Sequence, residues 1–104
     1  MYKSDTEYVI LDMLKKNPNL TQRQISRTMG LSLGKTNYVV NALINKGWVK
    51  LKNFRKSDNK IGYIYLLTPE GVANKKILAK NFLIRKSKEY KRLKAEIEIL
   101  KQEL

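Results

Sequence analysis

The chain has 104 residues, enough for one domain that buries only about 60 to 70% of its unfolded surface. Its 22 Lys and Arg against nine Asp and Glu give a formal charge of +13, which points to an anionic partner: nucleic acid first, then a membrane surface, then charge that serves only solubility. With no Cys, disulfides and thiolate metal sites are excluded, no apolar run approaches the roughly 20 residues of a membrane span, and MYKSDTEYVILDML lacks a secretory pattern, so the chain is expected to stay in the cytoplasm.

Ser4 followed by Glu7 offers a capping box for a first helix running to about Asn17. Its inward stripe is Ile10, Met13 and Leu14, widened by Leu11, and Pro18 enforces the exit. Asn19 and Leu20 bridge to the next element, and Leu20 is expected to add a few residues of edge strand. Thr21 and Gln24 form a second capping box. Ile25 and Met29 then share the inner face of a short helix that Gly30 ends in the left-handed region. Ser32 caps a further helix carrying Val39, Val40, Leu43 and Ile44 at helical spacing, closed by Gly47. Two helices joined by so tight a turn have the geometry of a helix-turn-helix.

After Gly47 the period changes to two. Trp48 to Phe54 alternates, with Val49 and Leu51 facing one way and Trp48, Lys50 and Lys52 the other. RKSDNKIG supplies a polar turn, and Tyr63 to Leu67 returns as a strand rich in aromatic and branched residues. The hairpin has a long basic tip from Arg55 to Lys60, which makes the whole a winged helix. Thr68, Pro69 and Glu70 then open a helix with a capping hydroxyl, a proline at its first position and an acid in its first turn. Gly71 costs some helix propensity there, and no Pro or Gly follows to Leu104.

Such a helix runs about 50 Å at 1.5 Å per residue, too long to be covered by the small domain. Val72, Leu78 and Phe82 form a face that can lie against the winged domain. From Ala79 a heptad places Leu83, Tyr90, Ile97 and Leu104 in one position and Ala79, Lys86, Leu93 and Leu100 in the other. Lys86 interrupts the seam, and Tyr90 is bulky for it. The expected division is therefore a winged domain over 1–71 and a dimerisation helix over 72–104, an α+β fold. The distal half pairs with a second copy, in a direction the register leaves open. Otherwise it is a solvated, charged helix with a fraying end.

The second helix of the motif should enter a major groove by its N-terminal part. Thr36, Val40 and Leu43 face the other helices, which turns Leu33, Gly34, Lys35, Asn37, Tyr38 and Asn41 outward. Asn37 and Asn41 lie one turn apart, and an Asn amide can both donate and accept at an adenine edge. Lys35 can reach guanine acceptors or a phosphate. Tyr38 either meets a phosphate or sugar or borders the core, and Leu33 either touches a thymine methyl or packs within the turn. Gly34 allows close backbone approach. Thr21, Gln22 and Arg23 stand at a helix N-terminus suited to a phosphate oxygen, with Ser32 at the next; Arg23 and Arg27 are either a positive flank or simply solvated. On the wing, Arg55, Lys56 and Lys60 are placed to reach the backbone and a minor groove, while Asp58 more plausibly orders the turn.

An enzyme is not expected. There is no His, the commonest base at neutral pH. The carboxylates are scattered, and no Gly-rich phosphate loop, metal cluster or paired nucleophile is present. No cofactor or metal is called for. The competing reading is a basic coiled-coil adaptor that uses a winged domain to bind another protein.

The run TQRQISRTMGLSLGKTNYVVNALINKGWV, the wing RKSDNK and LLTPEG at the start of the last helix resemble the MarR family of bacterial transcriptional regulators. Within it they are most similar to the short group associated with exopolysaccharide genes. The resemblance implies a homodimer that binds pseudo-palindromic operators, generally as a repressor, with many relatives released by a small phenolic or other effector. It matches Ser32 to Asn45 with the recognition helix and Asp58 with the wing aspartate. Lys60 stands where the family commonly has arginine and supplies charge without a planar fork. Typical members carry an extra N-terminal helix that joins the dimer and walls the effector pocket. This chain starts almost at the supporting helix, so dimerisation is expected to rest on the last helix.

Overall fold

The computed structural model describes residues 2–55 and 61–104, with the side chains of Arg55 and Ile61 outside the description. In chain order the elements are α1 (Lys3–Lys16), α2 (Gln22–Met29), α3 (Leu33–Asn45), β1 (Val49–Arg55), β2 (Ile61–Leu67) and α4 (Pro69–Gln102). The strands pair antiparallel in one two-stranded sheet, from Val49 opposite Leu67 to Arg55 opposite Ile61. This is the α+β winged helix-turn-helix expected, with a long C-terminal helix. No helix among the described residues is long and apolar enough to cross a membrane.

The caps around the helix-turn-helix form as the sequence implies. Thr21 Oγ1 accepts from the Gln24 amide, and Gln24 Oε1 accepts from the Thr21 amide at 2.8 Å. Gly30 ends α2 at φ 67°. After α3, Gly47 lies at φ 78°, its amide donates to the Ile44 carbonyl, and the Trp48 amide donates to that of Leu43. That pair of hydrogen bonds back into the last turn is a Schellman ending, which needs a residue tolerant of the left-handed region. It turns the chain directly into β1.

Two expectations are corrected. α1 begins two residues earlier than a Ser4 cap would allow: Tyr2 is its N-cap, without a side-chain bond, and Ser4 and Glu7 lie inside the helix. Their side chains serve tertiary contacts instead. Ser4 Oγ accepts from Arg85, and Glu7 pairs with Lys46. Leu20 adds no strand. Its amide donates to the Asn17 carbonyl, and among the described residues the backbone bond from β2 to this segment is that from the Tyr65 amide to the Pro18 carbonyl, at 3.2 Å. Proline has no N–H to return, so a ladder cannot propagate. Leu51, on the side of the strand it shares with Val49, remains 42% exposed, because the hairpin outruns the helices that cover its base.

The core is Ile10, Leu11 and Leu14 of α1, Ile25 of α2, Val39, Val40 and Leu43 of α3, and Val49 of β1. Leu11 is fully buried, whereas Met13 packs at the edge. α4 closes the domain along α1. Leu78 packs against the core, Phe82 stacks on Tyr8 at 5.0 Å between centroids, Lys75 reaches Asp12 at 3.0 Å, and Arg85 pairs with Asp5 through two guanidinium nitrogens. Lys46 meets Glu7 at 2.5 Å and lies over the Trp48 ring. Each acid of α1 is thus engaged by a base from another element, which fixes the pose of α4.

Asp12 also accepts from Lys16 at 2.8 Å. The Lys16 bond holds its carboxyl below the usual carboxylate range; burial pushes the other way, and Lys75 adds to the lowering. A depressed folded pKa contributes stability above the unfolded value near 3.9 and loses it as pH falls through the lowered one. Asp12→Asn should therefore cost about 0.5–1 kcal/mol at pH 7. Thermal melts against pH should show that cost shrinking as pH falls below the ordinary carboxylate range; a constant cost would remove Asp12 from the acid response.

Candidate nucleic-acid interface

The outward face of α3 is held by the residues turned inward. Thr36 is fully buried with its hydroxyl donating to the Ser32 carbonyl at 3.0 Å, and Val39, Val40 and Leu43 sit in the core. With that stripe fixed, the helical period leaves Lys35, Asn37, Tyr38 and Asn41 exposed, together with Leu33 and Gly34. Ser32 caps the helix, its Oγ accepting from the Lys35 amide at 3.1 Å. The Lys35 ammonium stands 5.8 Å from the Tyr38 ring centroid, so these two form one cationic-aromatic unit. Tyr38 is 62% exposed, which answers whether it borders the core: it does not.

The start of α2 comes against this face. Thr21, Gln22, Arg23, Leu33, Gly34 and Asn37 line one shallow concavity of about 680 Å³. Two groups singled out separately in the sequence, a phosphate-suited N-terminus and a polar groove face, are therefore neighbours. Asn37 Nδ2 donates to Gln22 Oε1, and Asn41 Nδ2 donates to Asn37 Oδ1, each at 3.1 Å. Arg23 and Arg27 are exposed on α2. The wing residues Lys56, Asp58 and Lys60, and the side chain of Arg55, lie outside the described residues.

The electrostatics are lopsided. Between Met13 and Ser57 there are ten Lys or Arg and no Asp or Glu, and that stretch holds α2, α3 and β1. The acids of α1 are engaged by Lys16, by Lys46 just after α3, and by Lys75 and Arg85 of α4. Such segregation raises the local concentration of a polyanion.

From Lys86 onward every residue of α4 is exposed. Leu83 and Tyr90 are each 65% exposed, and Leu93, Ile97, Leu100 and Leu104 stand free along the same side. The predicted seam is thus uncovered in the single chain, while Lys86 contacts Glu89 and the Phe82 ring. Ile77, Ile84 and Ile99 are also exposed and lie off that seam. Sequence reasoning missed them because it followed one heptad register only. It also missed the Gln22 link to Asn37, since nothing in linear spacing joins residues 15 apart across two helices.

These features define a winged helix-turn-helix protein. A family model described as "Winged helix-turn-helix DNA-binding" matches residues 3–50, the span of α1, α2 and α3. Among solved structures the chain has the architecture of MarR-type regulators. It is similar to PcaV, a transcriptional regulator from Streptomyces coelicolor solved with its natural ligand, at 26% identity and TM-score 0.59, over 74% of this chain and 53% of that one. It is similar to FabT of Streptococcus pneumoniae in complex with DNA at 23% identity and TM-score 0.55, over 79% and 56%. It is also similar to Staphylococcus aureus MarR in complex with salicylate and kanamycin, at 16% identity and TM-score 0.60, over 92% and 67%. The chain spans little more than half the length of the first two. No curated protein sequence matches it.

Proposed function

We infer that this protein is a sequence-specific regulator of transcription of the MarR type, binding double-stranded DNA as a homodimer. The observation that carries this reading is the single concave surface joining the N-terminus of α2 to the polar face of α3, within a stretch that holds ten bases and no acid. Thr21, Gln22, Arg23, Arg27 and Ser32 supply phosphate contacts, which give affinity. Lys35, Asn37, Tyr38 and Asn41 meet base edges, which gives discrimination. Arg55, Lys56 and Lys60 extend the contact along the backbone toward the minor groove. Leu83, Tyr90, Leu93, Ile97, Leu100 and Leu104 of α4 pair with a second copy, so the operator is an inverted repeat.

Repression is the finer reading, and control of exopolysaccharide genes finer still. Both are supported by the sequence resemblance over the helix-turn-helix, the wing and the Thr-Pro-Glu-Gly that opens α4. The testing experiment is selection of random duplex DNA by the purified protein at roughly physiological salt, with the mass of the bound complex recorded. Recovery of an inverted repeat bound by two subunits supports the reading. Uniform weak binding that disappears with salt would leave only charge attraction and favour an adaptor. On a recovered site, Asn37→Ala should lower preference over a scrambled duplex by about 1–3 kcal/mol while leaving the scrambled affinity intact, as read by competition titration.

A further inference from the structure

Three side-chain hydrogen bonds run in series across the groove-facing surface. Asn41 Nδ2 donates to Asn37 Oδ1, Asn37 Nδ2 donates to Gln22 Oε1, and Gln22 Nε2 donates to the Tyr65 phenol oxygen, each at 3.1 Å. They cross from α3 through the start of α2 to β2, so one phenol 43 positions beyond Gln22 ties the strand to both helices. Tyr65 is the fixed end. Its amide is bonded to the Pro18 carbonyl, it pairs across the sheet with Leu51, and its ring packs against the core. Asn37 and Asn41 are the exposed end.

We propose that Tyr65 and Gln22 are specificity-determining positioning residues, which orient the Asn37 and Asn41 amides before DNA arrives without themselves reading a base. The proposal rests on α3 being the base-reading helix. An Asn on an exposed helix face samples several side-chain rotamers, and the two ends of its amide are interchangeable to solvent. A bond from Nδ2 to a fixed acceptor removes both freedoms at once, since it sets the torsion and decides which end is donor. Each primary amide has two N–H groups and two oxygen lone pairs. Asn37 spends one of each on the relay and keeps one of each, the pair that a bidentate contact to adenine requires. Asn41 spends a single N–H and keeps its oxygen. The ordering cost of binding is thereby met in the folded protein.

Tyr65 is suited to this role because its hydroxyl can be removed without disturbing its ring. In Tyr65→Phe the ring still packs on the core edge, and Gln22 loses its anchor. With the full chain and a duplex recovered by selection, Tyr65→Phe should lower the ratio of affinities for that duplex over a scrambled one about three- to tenfold. The scrambled affinity and the salt slope should stay as in the native protein, because no charge is removed. Gln22→Ala should lower the ratio by the same factor, on top of an equal weakening on both duplexes from its lost phosphate contact, and serves as the second variant should Tyr65→Phe fold poorly. In an Asn37→Ala background, Tyr65→Phe should cause no further loss of the ratio.

Equal weakening on both duplexes would make Tyr65 a backbone contact and overturn the relay. An unchanged ratio would overturn it too, as would a full loss that persists in the Asn37→Ala background. A native protein that prefers no duplex refutes base reading by α3 itself, and that result is seen before any variant is made.

Discussion

Gly71→Ala is expected to destabilise the protein by about 3 kcal/mol, at the upper end for overpacking. Helix propensity alone argues the opposite sign, because Ala exceeds Gly by about 1 kcal/mol in a helix interior. Packing decides between them. A Cβ at Gly71 would stand 2.0 Å from the Trp48 carbonyl oxygen and 2.9 Å from its carbon, which are backbone atoms with no rotamer to change. That carbonyl is itself held, accepting from the Thr68 amide at 3.0 Å, so either the start of α4 or the entry to β1 must move. For a domain of this size the loss corresponds to a melting temperature lower by roughly 12–24 °C. Gly34→Ala is the control, since a Cβ there meets nothing within 4 Å; its melting point should hold or rise. A Gly71→Ala protein melting within a few degrees of the native one would show that the α4 junction yields easily.

The second large effect concerns assembly. Ile97→Glu combined with Leu100→Glu should convert the protein to a monomer and lower affinity for an inverted-repeat duplex by about 10²–10⁴, the gain that linking two binding modules provides. Both residues lie in the exposed distal part of α4, at 50% and 60% exposure. Placing charge there leaves the contacts of Lys75, Leu78, Phe82 and Arg85 with α1 untouched. The thermal melt of the winged domain should change little, whereas sedimentation should report half the mass. A double variant that stays dimeric would move the interface elsewhere. The exposed Ile77 and Ile84, on a different side of α4, would then be the first place to look.

How α4 divides into a docked half and a projecting half follows from its length against the size of the domain. At 34 residues it runs roughly 50 Å, and the molecule measures 64 × 27 × 21 Å, so the helix sets the longest dimension. Leu78 and Phe82 dock the proximal half on the domain, while Leu93, Ile97 and Leu100 of the distal half are exposed. An apolar stripe on the part of a helix that outruns its own domain has no cover within one chain.

The sequence by itself determined the element types and most of their ends, because those signals are local. A capping box at Thr21 and Gln24, a left-handed glycine at Gly30 and Gly47, and the Thr68–Pro69 start each depend on residues within a turn of one another. The outward set on α3 was legible for the same reason: once Thr36, Val40 and Leu43 are inside, the 3.6-residue period dictates which residues face out. What only the tertiary structure decided involves groups far apart in the chain. Ser4 and Glu7 carry a capping pattern, yet Ser4 accepts a hydrogen bond from Arg85 and Glu7 pairs with Lys46, and two charged contacts outweigh one cap. Gly71 appeared a mere weakness in a helix until Trp48 came against it. Gln22 and Tyr65 look unrelated to the base-reading face until folding sets them beside Asn37. Pattern along a chain reports the face a residue occupies; which other face meets it is fixed by packing.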